Sequence, residues 1–210
     1  MEILNELSLS LQNGNAKAVQ ELVQKAIDSG IEPRTILDEG LLAGMSVVGE
    51  KFKANQIFVP QVLIAARAMS IGTGILKPLL ADDTAAVAGK VCIGTVRGDL
   101  HDIGKNLVKM MLEGKGLEVI DLGVNVEPAR FIQAVQEEGC QIICMSALLT
   151  TTMPAMEETV KAAEAAGIRD QVKIMVGGAP VTEAYCQKIG ADVYTSDAAS
   201  AAEAALELLA

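Results

Sequence analysis

The sequence pattern changes near Gly89, and this change constrains the fold more than any other feature. After Gly89, short apolar segments alternate five times with segments of helical periodicity. The apolar segments are KVCIGTV, LEVIDLG, QIICMSA, QVKIMVGG and ADVYTSD. Near-continuous apolar strands between helices are typical of a parallel sheet that is covered by helices on both faces. We therefore predict an α/β domain over residues 90–210, with a five-stranded parallel sheet in the flavodoxin-like (Rossmann-like) order 2-1-3-4-5.

The chain before this change contains only helical patterns. Asn15 is placed to cap a helix whose apolar residues recur at helical spacing, and Gly72 and Gly74 weaken the last helix of the segment. About four helices joined by short turns indicate an all-α four-helix bundle over residues 1–80. The segment ADDTAAVAGK has no periodicity, so residues 81–89 are predicted to be a linker.

Composition narrows the classes of partner. The net charge of −10 and the pI near 4.6 argue against nucleic-acid binding, which depends on Lys and Arg neutralising phosphates. The N-terminus lacks the basic start and apolar core of a signal peptide, and no apolar run approaches the roughly 20 residues that span a bilayer. The four cysteines form no CxxC pair. We expect a reduced, cytoplasmic protein that contacts neither nucleic acid nor membrane.

Three short motifs follow the first, third and fourth predicted strands. They are Asp99-x-His101-x-x-Gly104, Ser146-x-Leu148 and Gly177-Gly178. The carboxyl ends of parallel strands share one edge of a sheet, where ligands bind in such folds. The motifs are therefore expected to lie close together, around the only histidine of the 210 residues.

Residue chemistry alone leaves several roles open for His101. It could be a catalytic base, one metal ligand or a surface residue, but a single histidine cannot form a multi-histidine metal cluster. Nucleotide binding is disfavoured, because the glycine of a P-loop is replaced by Asp99 and Lys105 is followed by Asn106 instead of Ser or Thr. The GxGxxG signature is also absent after the first strand.

The spacing of the three motifs resembles a known family. The first and second motifs are separated by 41 residues (105 to 145), and the second and third by 28 (149 to 176). This resembles the DxHxxG…SxL…GG signature of base-off, His-on corrinoid proteins. The segment VVGEKFKANQIFVPQVLIAARAM (47–69) resembles the helical cap of cobalamin-dependent methionine synthase and of small methyltransferase corrinoid proteins. The resemblance implies that the chain binds cobalamin or a related corrinoid, in its methylcobalamin form.

The resemblance also assigns roles to individual residues. His101 is the axial ligand of cobalt, Asp99 orients the imidazole, and Thr152 adds a hydroxyl where relatives have Ser. Ser146 and Leu148 contact the buried nucleotide tail of the cofactor, Gly177 and Gly178 make room for it, and Gly104 lets the loop turn beneath the corrin. Phe52 and Val59 cover the upper face of the corrin, although a relative has Leu at the second position. Three further cofactor contacts are predicted at Asp102, Ile103 and Thr150.

The implied function is that of a methyl carrier. Its cobalt cycles between Co(I) and methyl-Co(III), and the carrier is not catalytic alone. The implied partners are a substrate:corrinoid methyltransferase, a second methyltransferase that passes the methyl group to tetrahydrofolate or coenzyme M, and a reductive activase. Two alternatives stay open, a cobalamin-dependent sensor or regulator and, less favoured because of the cap, the cobalamin-binding subunit of a mutase. The donor could be a methylamine, methanol, a betaine or a methoxylated aromatic compound.

Overall fold

The chain forms two compact units, one helical and one α/β. The computed structural model describes residues 2–80 and 88–210. Most of the predicted linker, residues 81–87, lies outside the described residues. The predicted boundaries at residues 80 and 90 therefore stay a prediction, whereas the order of a helical unit followed by an α/β unit is confirmed.

The N-terminal unit contains four helical rods among its described residues, as predicted. The first two are α1 (Glu2–Gln12) and α2 (Ala16–Asp28). The third runs without a break through α3 (Pro33–Thr35), a π-helical segment (Ile36–Leu42) and α4 (Ala43–Lys53). The fourth is α5 (Val59–Leu76), which continues into a 3-10 turn at Lys77–Leu79.

Local signals and packing explain these helices. The side chain of Asn15 accepts a hydrogen bond from the N–H of Ala18 at 3.1 Å, which caps α2 as expected. Gly72 does not interrupt α5. A Cβ at Gly72 would lie 2.9 Å from side-chain atoms of Leu41, so the missing side chain lets the buried Leu41 pack closely against the helix. The cost of glycine in helix propensity is thus offset by close packing.

One apolar segment is longer than the sequence pattern suggested. Val59–Leu79 spans 21 residues and contains an 18-residue window with a mean hydropathy of 1.4, so the segment is long and apolar enough to cross a membrane by length and composition alone. The expectation that no run approaches this length is therefore wrong. Of this window, 39% is buried inside the structure, and Val62, Ala65 and Met69 belong to the core of the helical unit. A core helix passes the same test, so the evidence for a membrane span is weak.

The second unit alternates strands and helices. Its strands are β1 (Lys90–Val96), β2 (Glu118–Val126), β3 (Ile142–Ser146), β4 (Lys173–Gly177) and β5 (Val193–Tyr194). Its helices are α6 (Ile103–Glu113), α7 (Pro128–Glu138), α8 (Pro154–Ala165), α9 (Glu183–Ile189) and α10 (Ala198–Leu209), with a 3-10 turn at Arg169–Gln171. All paired strands are parallel, in the order β2-β1-β3-β4-β5. This is the predicted topology.

Burial follows the position of each strand in the sheet. Six of the seven residues of β1 are buried, whereas β2 at the edge of the sheet is mostly half-buried or exposed. Large buried side chains such as Phe131, Ile143 and Met156 fill the core beside the sheet. All four cysteines are buried and free, and burial raises the pKa of the Cys144 thiol to about 12.

An ion-pair network joins α6 to the edge strand. The Lys105 ammonium, only 3% exposed, lies 2.6 Å from Oδ1 of Asp121 on β2, and Lys109 lies 3.2 Å from the other oxygen. Burial alone would raise the pKa of Asp121, but hydrogen bonds from Lys105, the N–H of Gly123 and Lys109 hold it below its usual value. The network anchors α6, which begins directly after the loop of His101, to β2.

Candidate functional site

The loop between β1 and α6 presents an exposed imidazole beside a buried carboxylate. The side chain of Asp99 is fully buried, whereas that of His101 is 52% exposed. Nδ1 of His101 lies 2.7 Å from Oδ1 of Asp99, and the same oxygen accepts the backbone N–H of His101 at 3.1 Å. The carboxylate therefore holds both the ring and the backbone of the histidine.

The second oxygen of Asp99 is bound by the loop that follows β3. It accepts hydrogen bonds from the N–H groups of Leu148 at 2.8 Å and Leu149 at 3.2 Å, and from the hydroxyl of Thr152 at 2.8 Å. The predicted chain from hydroxyl through carboxylate to imidazole is thus present as geometry. Its part in binding a cofactor stays a prediction.

These hydrogen bonds determine the ionisation of Asp99. Burial would raise the pKa of this carboxyl, but hydrogen bonds from His101, Leu148 and Thr152 outweigh it and hold the pKa well below its usual range. Asp99 is therefore an anion at neutral pH. Because an ionised carboxylate only accepts hydrogen bonds, Nδ1 of His101 carries a hydrogen and donates it to Asp99, which leaves Nε2 as the ring nitrogen available to a metal.

The donor set suits a metal that brings most of its own ligands. The exposed imidazole of His101 can fill one coordination position through Nε2. Among residues 2–80 and 88–210, no three His, Cys, Asp or Glu side chains are grouped to hold a metal ion. A bare cation would find one ligand here, whereas cobalt already held by the four nitrogens of a corrin needs only an axial one. The residues present therefore fit a corrinoid.

Exposed apolar side chains lie on the elements that form this edge of the sheet. Five are exposed although they are large, and they come from the loops or strand ends of β1, β2 and β3: Leu100, Ile103, Val124, Leu148 and Leu149. Exposed apolar clusters of this kind mark binding surfaces, and a corrin ring offers a large apolar face. Sequence reasoning predicted Ile103 and Leu148 but missed the other three. Apolar residues directly after a strand end were the available signal.

Small residues line the carboxyl ends of three adjacent strands. Thr95, Ser146 and Gly177 lie side by side in register on β1, β3 and β4. A Cβ at Gly177 would meet no atom closer than the carbonyl oxygen of Thr195 at 3.7 Å, so the space above it is open. A Cβ at Gly178, whose φ is +130°, would lie 1.9 Å from the carbonyl oxygen of Ala147. Gly178 is therefore required by the protein backbone itself, whether or not a ligand is bound.

Comparison with known proteins agrees with this chemistry. Two family models, both described as a B12 binding domain, match residues 89–206 and residues 3–77. Dimethylamine corrinoid protein 1 of Methanosarcina acetivorans is 40% identical over 210 residues, which cover 100% of this chain and 98% of the relative. The chain belongs to the B12-binding corrinoid proteins.

Other relatives also match this corrinoid protein over nearly its whole length. The trimethylamine corrinoid protein of Methanosarcina barkeri is 39% identical over 212 residues, covering 99% of this chain and 98% of the relative. A chain of the methanol:cobalamin methyltransferase complex MtaBC from Methanosarcina barkeri superposes with a TM-score of 0.90 at 32% identity, covering 99% of this chain and 80% of that one. A cobalamin-binding protein from Desulfitobacterium hafniense DCB-2 gives 0.81 at 32% identity, with 98% of both chains covered.

Three residues that were predicted to contact the cofactor lie outside the hydrogen-bond network of Asp99. Gly104 does not turn the loop as expected, because it is the second residue of α6 and has no positive φ. A Cβ there would point into open space, so its predicted role is reduced to leaving room. Asp102 is exposed and accepts a hydrogen bond from the amide of Asn106 at 3.1 Å, which braces the first turn of α6. Thr150 is exposed, and no hydrogen bond of its side chain occurs within the described part of the chain.

The two residues predicted to face the upper side of the corrin lie in the helical unit. Phe52 is near the end of α4 and Val59 begins α5, and both are half-buried. The turn between them contains Asn55 with φ of +55°, which accounts for the break in the helical pattern. Phe58 in the same turn is 65% exposed. The covering role of Phe52 and Val59 stays a prediction.

Proposed function

We propose that this corrinoid protein is the methyl carrier of a methyltransferase system. When bound, the corrinoid supplies a cobalt centre that accepts a methyl group and returns it to an acceptor. The observation that carries the proposal is the pairing of buried Asp99 with exposed His101 at an apolar sheet edge, in a chain that matches named methylamine corrinoid proteins over its whole length. The same full-length match favours a carrier over the sensor and mutase alternatives.

The residues of the site divide the work. His101 would hold the cobalt through Nε2, and Asp99 accepts the hydrogen of Nδ1, which fixes the tautomer that such a ligand needs. The N–H groups of Leu148 and Leu149 bind the other oxygen of Asp99 and keep the carboxylate in place. The exposed leucines nearby would pack against the cofactor and exclude water from the imidazole.

The methyl donor we propose is a methylamine. Relatives named for dimethylamine and trimethylamine are 40% and 39% identical to this chain, whereas the matching chain of the methanol complex is 32% identical. The partners would be a methylamine:corrinoid methyltransferase, a second methyltransferase acting on coenzyme M or tetrahydrofolate, and a reductive activase. The cytoplasm is the proposed location, since all four cysteines are free thiols.

The proposal is tested by asking what the protein does without partners. Reduced holo-protein is mixed with dimethylamine, trimethylamine or methanol together with coenzyme M or tetrahydrofolate. We expect no turnover beyond the cobalt present, because the only histidine is assigned to cobalt and activating a C–N bond needs an additional acid or electrophile. Adding the cognate methyltransferase for one donor should then start demethylation of that donor. Multiple turnovers by the carrier alone would contradict the proposal.

A further inference from the structure

Asn125, near the end of β2, adopts a backbone conformation that is unusual for a residue other than glycine. Its φ is +52°, in the left-handed region that asparagine tolerates better than most residues. In this conformation it makes two hydrogen bonds to the loop after β1. Its side-chain oxygen accepts the N–H of Gly98 at 2.7 Å, and its own N–H donates to the carbonyl of Asp99 at 2.9 Å.

These two bonds hold the part of the loop that the carboxylate of Asp99 does not reach. The carboxylate binds residues after β3, whereas Asn125 on β2 forms hydrogen bonds to the backbone of Gly98 and Asp99. Thr95 on β1, fully buried, donates its hydroxyl to the carbonyl of His101 at 2.8 Å. The loop is thus held from three neighbouring strands.

Asparagine meets two requirements at once. The position needs a positive φ, which glycine also allows, and it needs a short side chain with an acceptor for the Gly98 N–H, which glycine lacks. Asparagine supplies this acceptor without charge. A carboxylate could accept the same hydrogen bond, but would bring a second anion near the buried Asp99.

We propose that Asn125 is a positioning residue, which holds the loop of His101 in the cobalt-binding conformation before the cofactor binds. The proposal rests on the proposed ligation of cobalt by His101. A loop already fixed in its bound conformation loses little conformational freedom when the imidazole coordinates, so the His-on state is favoured over the His-off state. Without the side-chain acceptor, the loop that carries His101 is not fixed beforehand. It then has to become ordered when the imidazole coordinates cobalt. Supporting groups behind a metal ligand commonly change metal affinity by about 10- to 100-fold, and a tenfold fall in the His-on to His-off ratio is the expected effect.

The test compares Asn125→Gly with Asn125→Asp in the holo-protein. Glycine keeps the left-handed backbone and its N–H but removes the acceptor, while aspartate keeps an acceptor of the same length. Electron paramagnetic resonance of the Co(II) form gives the fraction of cobalt with axial-nitrogen splitting. We expect this fraction to fall in Asn125→Gly and to be restored in part in Asn125→Asp, which keeps the acceptor but adds a second anion near Asp99, with total bound corrinoid unchanged in both. An equal fraction in the unsubstituted protein and in Asn125→Gly overturns the inference.

A second measurement uses the unsubstituted apo-protein, so it requires neither the cofactor nor a correctly folded variant. Amide hydrogen exchange in the unsubstituted apo-protein should show the Gly98 N–H protected, and exchange as fast as in an unstructured loop overturns the inference. The failure of the proposed ligation is recognised separately. If the unsubstituted holo-protein shows no nitrogen splitting, the ligation and this inference both fail, whereas splitting that Asn125→Gly leaves unchanged removes only the role of Asn125.

Discussion

Asp99 performs two tasks with its two oxygens. One oxygen orients His101, and the other collects three donors from the loop after β3. A buried anion is costly unless its hydrogen bonds are satisfied, and here five contacts satisfy it. The same contacts join the loops after β1 and β3, so one residue both builds the edge of the sheet and sets the tautomer of the histidine.

Removing the imidazole tests the assigned ligand. His101→Ala should still bind a corrinoid, because the apolar residues and the open space above Gly177 remain, but nitrogen coordination should disappear. Electron paramagnetic resonance of the Co(II) form measures the axial-nitrogen splitting directly. An unchanged imidazole signal in this variant would be incompatible with His101 as the ligand.

Changing one atom of Asp99 tests the tautomer argument. In Asp99→Asn, the amide oxygen is expected to take the site of the three donors, which leaves the amide NH₂ facing Nδ1 of His101. Nδ1 then becomes an acceptor and the hydrogen moves to Nε2, where it blocks coordination. The nitrogen-split fraction of Co(II) should fall about 10- to 100-fold although the histidine is present. Asp170→Asn, at an exposed carboxylate in the 3-10 turn before β4, is the control and should keep the signal.

At the scale of elements, the strands place the chemistry at their carboxyl ends. Thr95, Ser146 and Gly177 share one level of the sheet because β1, β3 and β4 pair in parallel register. The two adjacent glycines differ in what they accommodate. Gly177 faces open space, whereas Gly178 faces the backbone of Ala147.

This difference predicts opposite phenotypes for the two glycines. Gly177→Ala should leave stability nearly unchanged but lower corrinoid affinity, because the new Cβ fills space reserved for the nucleotide tail. Gly178→Ala should destabilise the α/β unit by about 3 kcal/mol or more, since both φ and the clash with Ala147 force the backbone to move. Urea unfolding and corrinoid titration of each variant check this. Gly74→Ala, in α5 with open space around it, is the control that should change neither affinity nor fold.

The ion-pair network of α6 predicts a specific pH dependence. Asp121 has a lower pKa in the folded than in the unfolded protein, so it stabilises the fold above its unfolded pKa of about 3.9, and this contribution is lost as pH falls through the folded pKa. Asp121→Asn should therefore flatten the fall in unfolding free energy between neutral and acidic pH. The part due to Asp99 should remain.

At neutral pH the same variant should be less stable than the unsubstituted protein. The buried ammonium of Lys105 would keep only neutral acceptors, the amide oxygen of Asn106 and that of the new side chain, at a cost of about 2 kcal/mol, below that of a fully buried pair because Asp121 is partly exposed. Urea unfolding across the pH range measures both effects. Glu118→Gln, at the more exposed pair with Lys90, serves as the control, and identical pH curves for all three proteins would refute the role of Asp121.

At the scale of the whole molecule, the helical unit has the predicted task of shielding the methyl group. Phe52→Ala should speed photolysis of the methylated cofactor while leaving corrinoid affinity nearly intact. Since Phe52 is only half-buried, the loss of stability should be below the 3–5 kcal/mol typical of a fully buried Phe. Photolysis rate and thermal midpoint are measured on the same sample. Leu9→Ala, at an exposed residue of α1, is the control, and equal photolysis rates in all three proteins would exclude the shielding role.

Much of the fold follows from local patterns. The alternation of apolar runs with helical segments predicted the five parallel strands and their order, because strands that are covered on both faces need continuous apolar sequence. The positions of the motifs after β1, β3 and β4 predicted which residues meet at the sheet edge. The helix predicted around Gly72 is present as α5. One local role was predicted less well, because Gly104 was expected to turn the loop but lies inside α6.

Only the tertiary structure decided which residues far apart in the chain contact each other. The sequence by itself determined that one histidine stands two residues after an aspartate, and the resemblance added the Thr152 hydroxyl, but neither indicated that Asp99 would be buried and bound by the N–H groups of Leu148 and Leu149. Nothing in the sequence marked Asn125 as a functional residue, because its left-handed φ and its hydrogen bond to Gly98 arise only when β2 lies beside β1. Periodicity records which face of an element is buried, whereas hydrogen bonds between loops depend on where strand ends come to lie in three dimensions.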